Sequence, residues 1–139
     1  MGSDNETLTV LLVMVVQQTF GVPAVQIERL AAAPLAGSPE DKPTWRPLAT
    51  GLGYALSDVI DRRASHILWA GNGLGWTVES IRELITFPVH SVRRLPSLLA
   101  RYAARAVWGA GFYEGDLILL VDLDQLAPPA LIYTSHGRS

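Results

Sequence analysis

The run Leu117-Ile-Leu-Leu-Val121, followed at once by Asp122-Leu-Asp124, restricts this chain more than any other stretch. It is too short to span a bilayer and too uninterrupted for a strand wet on one face, so it predicts a strand covered on both faces. Asp122 then offers a carboxylate oxygen to the free amides of a helical turn in which Leu123 and Leu126 face inward. Two acids this close also raise the idea of a metal loop or an acid/base pair. A calcium loop needs oxygen ligands at several alternating positions and a glycine turn, and Leu123, Gln125, Leu126 and Ala127 supply neither. A strand end with a cap is the better reading.

The 139 residues fit one domain, 1–139, large enough to bury a core; a chain of this size removes roughly 68% of its unfolded surface from water. With 17% charged residues and a net charge of −2, the chain lacks the basic excess of a dedicated nucleic-acid binder. The absence of cysteine removes disulfide frameworks, thiolate zinc sites and thiol nucleophiles, and suits a reducing compartment such as the cytoplasm. Leu8 to Val16 is apolar, but Asp4 and Glu6 precede it where a signal peptide carries positive charge, and it falls well short of the ~20 residues of a spanning helix. It reads as the first strand, with no direct membrane insertion. Asn5-Glu6-Thr7 matches a glycosylation acceptor, a pattern with meaning only in a secreted chain.

Further along, Thr19 and Phe20 continue a hairpin, and Gly21-Val22-Pro23 is expected to halt it. Val22, Ile27 and Leu30 then share one side of a short helical or extended segment. Ala31 to Trp45, broken by Pro34, Gly37, Pro39 and Pro43, reads as a loop. Pro47-Leu48 leads a brief strand, Ser57 caps a turn through Asp61, and His66 to Ala70 resumes the β pattern. Gly71-Asn72-Gly73 joins that strand to Leu74–Val78 as a tight hairpin. Glu79 to Pro88 fits either a helix carrying Ile81, Leu84 and Ile85 or a strand ended by Pro88; periodicity leaves both open. Ser97 to Ala106 fits a helix with Leu98, Leu99 and Tyr102 inward, and Val107 to Phe112 a strand turned at Tyr113-Glu114-Gly115.

No catalytic constellation emerges. His66, His90 and His136 are scattered among strand, turn and tail, so neither a nucleophile with its base nor a metal site is assembled. Gly71, Gly73 and Gly75 superficially suggest a phosphate cradle, but Trp76-Thr77-Val78 looks like strand where a nucleotide site would open a helix. No cofactor is expected. Trp45, Trp69, Trp76 and Trp108 can line a pocket as readily as a core, which keeps a small β-barrel module binding an apolar small ligand as the alternative.

Many short strands separated by Gly, Pro and Asn turns predict an all-β fold, mainly β with short helices and barrel-like. The order of residues then becomes informative: His66-Ile-Leu-Trp-Ala70, Leu74-Gly-Trp-Thr-Val-Glu-Ser-Ile81, Leu95-Pro96, Ala106-Val-Trp-Gly-Ala110 and Leu120-Val-Asp-Leu-Asp-Gln-Leu126. This series resembles the CheW-like coupling domain of bacterial chemotaxis, best over 66–126 and more weakly over 8–52, where Phe20-Gly-Val-Pro-Ala-Val-Gln-Ile-Glu-Arg-Leu30 is similar to the family's early strand-turn segment. The resemblance implies two small SH3-like five-stranded β-barrel subdomains packed around a shared hydrophobic centre, with no catalytic residues. It also implies a scaffold that binds the regulatory domain of a CheA-type histidine kinase on one surface and a chemoreceptor cytoplasmic tip or another CheW-like domain on a second.

Three departures stand out. Ile27-Glu28-Arg29-Leu30 puts Arg29 where the family commonly has an acid. The Asn-Leu-Arg-Gly segment tied to receptor engagement is missing, with only Trp45-Arg-Pro-Leu-Ala-Thr50 after a shortened loop. Glu79 replaces a usual aspartate. The implied partner surface is Ile27 and Leu30, with Arg29 as a rim charge tuning partner choice; the competing reading packs Ile27 and Leu30 in the core. Arg93, Arg94, Arg101 and Arg105 form either a patch for an anionic partner or a solvated face.

Overall fold

A computed structural model of the protein describes residues 6–33, 45–54, 63–94 and 106–126. The first strand, β1 (Thr7–Val15), alternates its side chains between two cores, because successive residues of a strand point to opposite faces. Val10 and Leu12 join Ile85, Phe87, Ile118 and Leu120 in one cluster. Leu11, Val13 and Val15 join Phe20, Val22, Leu68, Trp76, Val78 and Leu123 in the larger one. Full burial of each such side chain stabilises the fold by roughly 1.5–3 kcal/mol, which accounts for the unbroken apolar run Val10-Leu-Leu-Val13 in β1.

Among the described residues the remaining strands are β2 (Gln18–Pro23), β3 (Ile27–Ala32), β4 (Trp45–Pro47), β5 (His66–Ala70), β6 (Gly75–Val78), β7 (Ser80–Pro88), β8 (Arg93–Arg94), β9 (Val107–Tyr113) and β10 (Asp116–Val121), with one helix, α1 (Leu48–Gly51). They form a six-stranded sheet in the order β7-β1-β2-β10-β9-β8 and a four-stranded sheet in the order β3-β5-β6-β4. Most neighbours are antiparallel. Two parallel contacts tie distant parts of the chain: β2 to β10 through Phe20–Leu119 and Gly21–Leu120, and β4 to β6. Among the described residues no helix is long and apolar enough to cross a membrane.

The all-β architecture agrees with the sequence, as do its two SH3-like subdomains, but the described strands divide six and four rather than five and five, and neither sheet closes into a barrel. Sheet membership does not follow chain order either. The β1–β2 hairpin belongs with β7 to β10, so strands from 66–78 pair with 27–32 and 45–47 while the hairpin serves the later strands.

Several local expectations are corrected. β2 runs through Gly21 and Val22 and halts at Pro23, before the single 3₁₀ turn Ala24–Gln26. Gly21 serves packing, not turning: a Cβ there would meet Val10, Ile118 and Leu120 side chains, each at 3.1 Å. The strand near Pro47 ends at that residue instead of starting there, and Leu48 opens α1, whose first turn Thr50 closes by donating from Oγ1 to Pro47 O at 2.8 Å. The loop expected from Ala31 begins later, since β3 continues to Ala32. Of the two readings left open between Glu79 and Pro88, the strand is found, as β7 (Ser80–Pro88), paired along β1 with Ile85 and Phe87 inward. The run Leu117–Val121 is strand but is covered on both faces only from Ile118 onward, because Leu117 stays 45% exposed at the sheet's outer end.

Other expectations hold. Asp122 Oδ1 accepts from Asp124 N at 3.0 Å, and Leu123 and Leu126 are buried beneath that turn. The β5–β6 hairpin turns at Gly71-Asn72-Gly73, with Gly73 at φ +89° and Asn72 Oδ1 accepting from Leu74 N at 3.0 Å. The turn expected over Ser57–Asp61 and the helix over Ser97–Ala106 lie outside the described residues, apart from Ala106 itself, which is buried in the larger core.

Candidate functional site

Strand β3 is the outermost strand of the four-stranded sheet, hydrogen-bonded to β5 alone among the described strands. Its geometry follows from the turn before it. Pro23 ends β2, the 3₁₀ turn reverses the chain, and Ile27 enters the sheet opposite Ala70. The register then slips, so that Arg29 rather than Glu28 faces Trp69, and Glu28 is the extra residue of a bulge.

This slip decides where the three residues singled out by sequence end up. Ile27 is half-buried and packs against the larger core. Arg29 and Leu30 are exposed, Leu30 to 45%. The structure therefore brings all three onto one edge strand but splits their environments: Ile27 roots the strand, while Arg29 and Leu30 face solvent.

Sequence reasoning missed the neighbours. The Arg29 guanidinium carbon lies 5.0 Å from the Trp69 ring centroid. Such stacking contributes roughly 0.5–1 kcal/mol at an exposed site and leaves the in-plane N–H groups free to donate. Trp69 and Trp45 in turn crowd Gly75, where a Cβ would stand 2.9 Å from Trp45 Cβ and 3.0 Å from Trp69 Cζ3. Glycine at this position lets two half-buried indoles close over the sheet face opposite the core. The result is an apolar face of Trp45 and Trp69 edged by the Arg29 cation, while Leu30, paired with the core residue Leu68, stands on the other face of the strand. The alternation Ile67, Trp69 along β5 held part of this signal; the cross-strand register did not lie in the sequence.

Chemistry of other kinds finds little support in the geometry. His66 Nδ1 is bonded to Ser65 Oγ at 2.7 Å, and His90 is exposed in the turn after β7, in the other sheet; His136 lies outside the described residues. Among the described residues no group of three or more His, Cys, Asp and Glu side chains is placed to hold a metal ion. The four tryptophans do not line one pocket: Trp76 is a core residue, and Trp108 packs beside the smaller core in the six-stranded sheet.

A six-stranded and a four-stranded sheet that pack around a common apolar core make up a CheW-like fold. The comparison that establishes it is with the crystal structure of scaffolding protein TtCheW from Thermoanaerobacter tengcongensis. That structure aligns with a TM-score of 0.63 at 13% sequence identity, covering 84% of this chain and 90% of that one. No family model matches the sequence, and no curated protein matches it.

Proposed function

We propose that the chain is a non-enzymatic adaptor of a bacterial chemotaxis-type signalling system, acting in the cytoplasm and coupling a CheA-type histidine kinase to other components. The observation that carries this reading is the CheW-like fold, shared with a scaffolding protein over most of both chains. The exposed edge of β3 is the proposed kinase-facing surface. Ile27 anchors it, Leu30 supplies apolar contact, and Arg29 on Trp69 supplies a charge at the rim. A strand that is an edge among the described strands suits this role, since backbone groups along such an edge can accept a partner's strand or loop while the core beneath keeps it rigid. The kinase regulatory domain is the first partner proposed, and another CheW-like domain the second. A chemoreceptor tip ranks below both, because the Asn-Leu-Arg-Gly segment that ties the family to receptors is missing here.

The test is co-purification with the regulatory domain of a CheA-type kinase from the same source. Binding is expected, with Leu30→Asp weakening it about tenfold or more, as for other central apolar contacts, and Arg29→Glu changing its salt dependence. No binding at high concentration of both proteins defeats the adaptor reading.

A further inference from the structure

The six-stranded sheet carries a second surface. After Pro88 ends β7, Val89–Ser91 make a 3₁₀ turn, with Ser91 Oγ donating to Pro88 O at 2.8 Å. Val89 N donates to Glu6 O at 3.0 Å, fastening the turn to the start of β1. The chain then adds β8 to β9, Arg93 opposite Ala110 and Arg94 opposite Gly109. On the far side of β9 the register slips between Leu120 and Val121, whose partners are Gly109 and Val107, so Trp108 is the extra residue. A bulge of this kind re-aims its side chain.

Trp108 consequently meets Leu8, Val89, Val92 and Arg94 around a half-open groove of about 270 Å³. Leu8, Val92 and Trp108 pack on the smaller core, which gives the groove a rigid floor. The Arg94 guanidinium lies 5.8 Å from the Trp108 ring centroid. Arg93, Arg94 and His90 are all exposed at this end of the sheet. No carboxylate among the described residues pairs with Arg93 or Arg94. A guanidinium lying on an indole keeps its in-plane donors for a bidentate carboxylate, and the adjacent apolar lining makes that bond stronger than it is in water.

We infer that this groove docks an acidic peptide segment of a partner protein, with one apolar side chain seated among Leu8, Val89, Val92 and Trp108 and a neighbouring carboxylate on Arg94. Two observations select this occupant. The volume falls below the roughly 300–1,000 Å³ of pockets that enclose a free small molecule, and suits a single side chain. The exposed charges on its β8 side, Arg94 in the lining and Arg93 next to it, are positive, so the segment that meets this side is acidic. The groove lies in the other sheet from β3, so it stands independently of the kinase-facing reading.

The test is selection of a random peptide library on the whole protein, followed by binding of the selected peptides to Arg94→Glu and Val89→Asp. Both side chains are exposed, so neither variant threatens the fold, and thermal unfolding of each serves as the control. Selected peptides are expected to carry Asp or Glu beside Phe, Leu or Met. They should weaken about tenfold on either variant, weaken further with salt, and shift the Trp108 indole resonance. The proposal is overturned if nothing is enriched, if the enriched peptides lack acids, or if both variants bind as the parent does. It is equally overturned if indole alone shifts the Trp108 resonance as strongly in Arg94→Glu as in the parent, or if a concentration-dependent dimer covers the groove.

Discussion

The side-chain amide of Gln26 spans the turn at Asp122: its Nε2 donates to Asp122 Oδ1 at 2.6 Å, and its Oε1 accepts from Leu123 N at 2.7 Å. This pair joins positions 96 residues apart and fixes the exit of β2 against the exit of β10, beside their parallel contact. Gln26→Ala removes both bonds and leaves the part-buried Leu123 amide without its partner. A loss of about 1–3 kcal/mol is expected in urea unfolding. Gln26→Glu should cost at least as much, because it sets a second carboxylate against Asp122. An unchanged midpoint in either variant contradicts the geometry.

The turn between β1 and β2 carries both central residues in the left-handed region, Val16 at φ +49° and Gln17 at φ +64°. This is the twist a two-residue hairpin prefers, but here it lacks the Asn-Gly sequence that makes it easy. Relief of roughly 1–2 kcal/mol of left-handed strain exceeds the roughly 0.5–1 kcal/mol that glycine loses through its unfolded-state freedom. Gln17→Gly should therefore stabilise the protein by about 0.5–1 kcal/mol, read as a raised denaturation midpoint.

Val16 N also donates to Glu79 Oε2 at 2.8 Å, and Glu79 N donates to Met14 O at 3.0 Å. Glu79 thus holds the strained turn with its side chain and strand β1 with its backbone. Glu79→Ala should destabilise by about 1–3 kcal/mol, while Glu79→Gln, which keeps the acceptor, should recover most of that. Equal losses in the two variants count against this role.

Phe87 lies flat against Gly111, where a Cβ would approach the ring to 2.9 Å. Gly111→Ala should cost about 1–3 kcal/mol through overpacking. Phe87→Leu should cost less in the Gly111→Ala background than alone, giving a non-additive double-mutant cycle. Strict additivity means the two side chains do not meet.

Tyr113 holds its phenolic proton more tightly than usual, first because its phenolate is desolvated, then because of the Glu114 and Glu83 carboxylates. A folded-state pKa above the unfolded value contributes stability that is complete below about pH 10 and lost as pH rises through the folded value. Alkaline absorbance difference between the parent and Tyr113→Phe should put this phenol's titration above that of free tyrosine, and Glu83→Gln should bring it down. Titration at the ordinary value removes the proposed neighbours.

Much of the fold was legible where the signal is local. The alternation in His66–Ala70, the Gly71-Asn72-Gly73 turn and the capping carboxylate of Asp122 are each written within a few residues, and each is found as read. What the sequence obscured is pairing at a distance. Gly21 looks like a turn residue until Val10, Ile118 and Leu120 are seen around it. The strand ending at Pro47 gains its partner, among the described strands, from β6, far along the chain. The candidate surface follows the same division: Ile27, Arg29 and Leu30 stand out in a short segment, whereas Trp69 comes under Arg29 only because Glu28 bulges. The Trp108 groove likewise depends on a slip in register that periodicity does not encode.

A β1 whose alternate side chains are shared between two neighbouring cores leaves no seam along which the protein can come apart. Withdrawing this one segment strips Val10 and Leu12 from one half and Leu11, Val13 and Val15 from the other in a single event. The melting of either half thus pulls down its neighbour, and the two are expected to unfold as one cooperative unit.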